Sequence, residues 1–495
     1  MKKILFFYVF CLFAVGCIAQ HAGEWVNLTT NPKGTYFYNF VAGDDQSTAI
    51  VVTLPQGTET SGSLTRIRKY NEDFSSYQET PLPENNMQKY WFMGFSDYIV
   101  LTGSRLCDVK MPKVPDYTCE QLIMGISPDG NELFKQEVHL ISEKRTLDQE
   151  ANLYSSSDKS KLIVVSTESI NTSDESSKHE VSVITVYNDN LNIIWLDTIV
   201  LEEVLGKGVT TRSCVFDYTT DGKLLLLVDR TAIKSKNIPT SIDIYVYDTP
   251  GHIAFKESQA FDYEWISFKH ILLDDGCLYI SGILKKPYSE DAYTRLFTIK
   301  KNCSLAGIES YKEILLNKAF FTAWPECAPQ LEVEICPPRE IIQMTDGILY
   351  IGLYGVEYEN IMQCKARGII LIKFGNDGGL QWVKMIKRYC ALPSRSAIFK
   401  AYNMGTNVIL FYGDKSENIT NTKPEIMETN SFWGLGYATI SPDGTIVKSV
   451  LDDRVKDQTH FDLSSLYRIS EDRFVIKGNF RINNVENTFS RIIQF

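Results

Sequence analysis

Histidine is scarce, with 6 in 495 residues, and no two stand at the spacing of a metal-ligand pair. No His-Glu-x-x-His occurs, which excludes the helix-borne zinc hydrolase site. No Cys-x-x-Cys occurs, so zinc ribbons and thioredoxin-like redox sites are also excluded. There is no Gly-x-Ser-x-Gly elbow and no phosphate-cradling glycine loop. Neither a metal nor a cofactor is therefore expected. Blocks of Lys and Arg are missing too, and 50 basic against 61 acidic side chains leave a formal charge of −11. Nucleic acid and anionic membrane surfaces need a basic footprint and are poor partners. Past the N-terminal segment no apolar run is long enough for a membrane helix, and long amphipathic helices are not evident.

What is present begins with an export signal over residues 1–19. Lys2 and Lys3 precede an apolar run at residues 4–15, too short to span a bilayer. Cleavage after Ala19 would use the small residues Cys17 and Ala19. The alternative is lipidation of Cys17, since Val15-Gly16-Cys17 resembles a bacterial lipoprotein signal. Soluble export is the preferred reading, because Ala14 stands where such signals usually carry Leu. The expected location is the periplasm or the cell surface. Of the 11 cysteines, Cys107 with Cys119 and Cys327 with Cys336 lie close together in loop-like contexts. Each set could staple its loop, stabilising the fold by about 2–3 kcal/mol. Cys214, Cys277 and Cys303 lie in strand-like runs and read as buried thiols.

A pattern of four short strands recurs along residues 20–495. Its first hairpin reads Ile271-Leu272-Leu273-Asp274-Asp275-Gly276-Cys277-Leu278-Tyr279-Ile280, and returns around Asp346-Gly347 and Asp221-Gly222. Its second hairpin turns at Ser127-Pro128-Asp129-Gly130, Asn376-Asp377-Gly378-Gly379 and Ser441-Pro442-Asp443-Gly444. Asp-Gly and Asn-rich pairs supply the positive φ that tight hairpins need. Runs such as residues 224–228 are apolar on both faces, as in strands sandwiched between sheets.

Four strands per unit of roughly 60 residues is the signature of an all-β β-propeller blade. Eight first hairpins predict eight blades in a single domain, with seven as the alternative. The last unit lacks one strand, and residues 24–29 are the candidate to complete it and hide both sheet edges. The Ser-Pro-Asp-Gly turns resemble those of exported propellers related to TolB and to WD40 proteins. Asp377-Gly378-Gly379-Leu380-Gln381-Trp382 resembles the core of the sialidase Asp box, with Gly375 in place of its usual Ser or Thr. In those families the motifs serve folding, so the resemblance implies fold and no activity.

Strand alternation puts the tight turns on one face of the ring and the long loops on the other. Loops on a rigid scaffold commonly carry binding. Trp324, Tyr288, Tyr117, Tyr358 and Trp433 are candidates to stack on sugar rings or fill a partner's pocket, or else to fold onto their own blades. Arg339 and Arg367 are candidates for bidentate carboxylate or sulfate binding, or for surface pairing with nearby acids. The leading expectation is a non-catalytic binding or scaffold propeller recognising an envelope protein or a glycan through its loop-rich face. The rival is a polysaccharide-active hydrolase or lyase with converging acids, Tyr/His and Arg at the channel mouth.

Overall fold

A computed structural model describes residues 21–22, 26–27, 36–43, 47–54, 64–71, 75–81, 89–95, 98–107, 117–142, 152–157, 159–171, 178–200, 211–230, 240–263, 265–285, 295–324, 339–354, 357–360, 363–393, 399–414, 419, 434–452, 460–482 and 485–495. The strands fall into eight antiparallel sheets in chain order. These span residues 36–81, 89–142, 152–200, 211–261, 265–315, 340–393, 399–452 and 460–494, here sheets one to eight. Sheet six carries one additional short strand, Glu357–Asn360.

Successive first strands touch one another. Trp265–Leu272 meets Glu340–Met344, which meets Phe399–Met404, which meets His460–Arg468, which meets Tyr36–Gly43. Only the innermost strands of a ring can do this, so the first strand of each sheet surrounds the axis. The result is a β-propeller. Its N-terminal segment closes sheet eight as expected: His21 pairs with Gln494, and Val26 with Ser490.

The packing follows from strand alternation. In Leu224–Arg230 the side chains of Leu224, Leu226 and Val228 pack with Ile163 and Val165 of sheet three. Leu225 and Leu227 turn the other way, onto Leu278 and Ile280 of sheet five. Each buried leucine contributes about 2 kcal/mol, so one strand cements two interfaces. The outermost strand His252–Phe261 is mostly exposed or half-buried instead. The tips of the hairpins need glycine: Gly222 has φ 91° and Gly444 φ 84°.

Hydrogen bonds between neighbouring sheets repeat with the sequence period. Lys69–Asp129, Ser157–Asp217, Asn403–Gln343 and Trp382–Pro442 each join residues 60 apart. Trp382 belongs to the segment that resembles the Asp box. Its indole is nearly buried and covers Gly444 of the next sheet, while Nε1 donates to the Pro442 carbonyl at 2.8 Å. Trp382→Phe keeps most of the ring contact and removes this donor. It should cost about 1–2 kcal/mol, read as a lower urea midpoint with an unchanged slope.

Candidate ligand site on the ring axis

Sheet three carries an unusual first turn. After Asn152–Ser155 the chain closes a tight loop in which Lys159 N donates to the Ser156 carbonyl at 2.8 Å, with Lys159 at φ 59°. Ser157 leans out of this turn. Its backbone N–H and its hydroxyl both donate to the Asp217 carboxylate of sheet four, at 3.0 and 2.6 Å. Its Oγ also accepts the Leu272 N–H of sheet five at 3.1 Å. A residue of sheet three thus reaches the inner strand two sheets further on.

Asp217 is 1% exposed. It accepts in addition from the Tyr218 N–H at 2.8 Å, and the His270 Nε2 stands 3.1 Å away. The residue types are those of a hydrolase triad, but the order is wrong. Such a triad places His between Ser and Asp, whereas here the carboxylate sits in the middle and the serine is not paired with a base. The group is a clamp on three inner strands. His270, read from the sequence as a core or edge residue, serves it.

Beyond the clamp, Lys159 faces the opposite wall of the axis. Its ammonium is held below the ordinary lysine range, first by burial, then by repulsion from Arg468 and Lys400, with Glu340 opposing. Glu340 is pushed above the usual carboxylate range by burial, against the pull of Lys400, Lys269 and Lys159. Lys269, Glu340, Lys400 and Arg468 lie on the inner strands of sheets five, six, seven and eight. The Arg468 guanidinium is already engaged, donating to the carbonyls of Asn403, Ser470 and Glu471 at 2.8–3.0 Å. It supplies charge but no free fork. Lys159, Lys269, Lys400 and Glu340 make no side-chain hydrogen bond or ion pair among the described residues. Lys159 and Lys269 are exposed and Glu340 and Lys400 half-buried, so water can serve these four charges, which converge without pairing among the described residues. Tyr402 is close enough for Glu340 to raise its pKa, but its hydroxyl donates to the Leu466 carbonyl at 2.9 Å.

The Glu340 shift has a definite sign. Its folded pKa exceeds the unfolded value near 4.5, so the unfolded chain loses its proton first and stability falls as pH rises above that value. Glu340→Gln should remove this fall. The variant should gain stability relative to wild type between about pH 4 and about pH 7, measured by chemical denaturation at both.

Two other polar features differ from this one. In sheet four Arg230, Asp243, Tyr245, Ser241 and Ser258 form a network of their own, with Ser258 Oγ donating to Asp243 at 2.7 Å. A groove of about 360 Å³ between sheets six and seven is lined by Lys384, Asp443 and Lys448. It lies between outermost strands, away from the axis.

Of the residues predicted from the sequence, Arg339 is exposed and immediately precedes Glu340. Trp324 follows a short helix, α1 (Lys318–Ala323), and packs half-buried against the core on both sides of sheet six. Tyr117 and Tyr358 begin and line strands Tyr117–Ile126 and Glu357–Asn360, and Arg367 lies at a register shift in Gln363–Gly375. Tyr288, Trp433, Cys327 and Cys336 lie outside the described residues. Cys107 stands opposite Thr118 and Cys119 opposite Leu106, one register step apart. Cys277 and Cys303 are buried thiols, and burial pushes Cys303 up to about 12. The axial residues were missed because each is a lone charge, on a short strand or, for Lys159, in a tight turn. One signal was available: Glu340 and Lys400 occupy the same stretch of consecutive repeats.

No family model matches this chain, and no curated protein matches it. Solved structures with a similar chain path include the WD40 domain of SCAP from fission yeast, at 6% identity and a TM-score of 0.38, covering 95% of this chain and 98% of that one. Polysaccharide lyase Uly1 is 10% identical with a TM-score of 0.37, covering 80% and 95%. An alpha-L-arabinanase from Penicillium chrysogenum is 12% identical with a TM-score of 0.29, covering 74% and 98%. These are likenesses of fold at low identity, so the chemistry rests on this chain's own residues.

Proposed function

We propose that this protein is an exported, non-catalytic binding propeller whose ligand is an acidic glycan of the cell envelope, held on the ring axis. The observation that carries the reading is the convergence of Lys159, Lys269 and Lys400 with Glu340, none of which makes a side-chain hydrogen bond or ion pair among the described residues. Ammonium groups suit a carboxylate or sulfate. One carboxylate among them suits the hydroxyl donors that flank the acid group of a sugar.

The reading is tested by calorimetric titration with oligogalacturonate, heparin and neutral dextran. Acidic chains should bind with salt-sensitive affinity, and Lys159→Gly with Lys400→Ala should weaken them about tenfold or more. Equal binding of dextran, or an unaffected double variant, would overturn it.

One observation favours catalysis instead: Glu340 and Lys159 are shifted toward each other's protonation range within one site. Against it, the Tyr402 hydroxyl is engaged by a carbonyl. A lyase would release an unsaturated uronate, visible by ultraviolet absorbance during the same titrations.

A further inference from the structure

We infer that the groove between the outermost strands of sheets six and seven is a docking site for an acidic, extended peptide segment of a partner protein. This site is separate from the axial one and does not depend on the glycan reading.

The inference rests on where two lysines stand. In Leu380–Pro393 the side chains of Trp382 and Ile386 belong to the core shared with sheet seven. Lys384 lies between them on the same face of the strand, opposite the buried Leu371. In Ile446–Asp452 the side chains of Ile446 and Val450 pack against that same core. Lys448 lies between them, opposite the buried Ala438. Each strand thus places a cation where its alternation calls for an apolar side chain. Both lysines line one groove of about 360 Å³. A lysine that only guards a sheet edge has no need to face the neighbouring sheet. Like charges at core-facing positions cost stability, and a fold that breaks its own pattern in this way does so at functional sites.

The acids nearby do not cancel these charges. Asp443 lines the groove, but its carboxylate accepts the Thr445 N–H and hydroxyl of its own turn, at 2.9 and 3.1 Å. Those bonds first, and the charge of Lys384 after them, hold Asp443 below the usual carboxylate range. Asp414 is buried. Lys448 is half-buried and makes no side-chain hydrogen bond or ion pair among the described residues. Its ammonium is held below the ordinary lysine range, first by burial, with Asp414 opposing and exposed Lys387 adding repulsion. Three lysines therefore meet one exposed carboxylate, a positive spot on a chain of net charge −11.

The lining decides between classes of anion. Met385, Ile386 and Ile446 supply apolar surface, and no aromatic residue lines the groove. Trp382 is nearly buried against Gly444. A sugar ring finds no stacking platform here, whereas apolar surface between cations matches a peptide that alternates acidic and apolar side chains. No further strand lies beyond Leu380–Pro393 or Ile446–Asp452 among the described residues. Their outward backbone groups are open to an extended peptide.

The test is fluorescence anisotropy of the full chain with a short labelled peptide of alternating Glu and Leu, and with its Gln and Leu counterpart. The acidic peptide should bind, weaken with added salt and exceed the neutral one about tenfold or more. Lys384→Met combined with Lys448→Met should lose that advantage and leave the oligogalacturonate titration unchanged. Methionine fills core-facing positions readily, so the melting temperature of this double variant should hold or rise. Equal binding of the two peptides, no binding of either, or an acidic advantage that survives the double variant would overturn the inference. A lowered melting temperature would assign the lysines to structure and overturn it as well. Loss of oligogalacturonate binding in the double variant would make the occupant a glycan and not a peptide.

Discussion

Asp217→Ala is expected to destabilise the fold by about 3–5 kcal/mol. The carboxylate is 1% exposed and receives the Ser157 N–H, the Ser157 hydroxyl and the Tyr218 N–H, with His270 beside it. Alanine leaves these donors buried without a partner, and each orphan costs about 1–3 kcal/mol. Asp217→Asn keeps one oxygen for the backbone donors and turns an amide toward the Ser157 hydroxyl, so its cost should be about half. Ser157→Ala should be non-additive with either change, since the two side chains act as one unit. Urea denaturation of wild type, the three single variants and the two double variants checks this. A midpoint for Asp217→Ala close to wild type would show that the clamp is dispensable. Ligand binding should weaken as well, because the same bonds hold the turn that carries Lys159.

Deleting residues 20–27 should have the second largest effect. His21 and Ala22 pair with Gln494 and Ile493, and Val26 and Asn27 with Ser490 and Phe489. Without them the strand Val485–Gln494 becomes an open edge. Four register pairs are lost, a cost of about 2–4 kcal/mol. The bare edge should also recruit other chains. Scanning calorimetry should give a lower transition, and size-exclusion chromatography should show concentration-dependent association. A truncated chain that melts like the full one and stays monomeric would mean that sheet eight needs no closure from the N-terminal segment.

The fold was legible because its requirements are local. A tight hairpin demands positive φ, and Gly222, Gly276 and Gly444 meet that demand inside visible Asp-Gly pairs. A strand packed on both faces must be apolar throughout, and residues 224–228 show it directly. The completing strand was legible as an arithmetic deficit, since the last unit lacked one strand. The candidate site was not legible, because it belongs to no single repeat. Lys159, Lys269, Glu340 and Lys400 come from four units, and only the closed ring brings them together. Sequence logic pointed to the long loops, where aromatic residues stand out. Trp324 shows how that logic can lead elsewhere, since this conspicuous loop tryptophan packs half-buried against two core clusters. Ser157 gave no signal at all, because nothing in its own segment indicates that it bonds 60 and 115 residues downstream.

The bond from Ser157 to Leu272 has a mechanical consequence. A ring of repeats held only by nearest-neighbour links should loosen equally well anywhere along its circumference. Among the described residues this ring has a cross-brace that spans two interfaces and ties sheet three to sheet five over the head of sheet four. Sheet four cannot separate from either side without breaking it. Thermal breathing of the ring should therefore be uneven: the arc from sheet three to sheet five opens as one unit, and excursions of the barrier to opening concentrate at interfaces outside it.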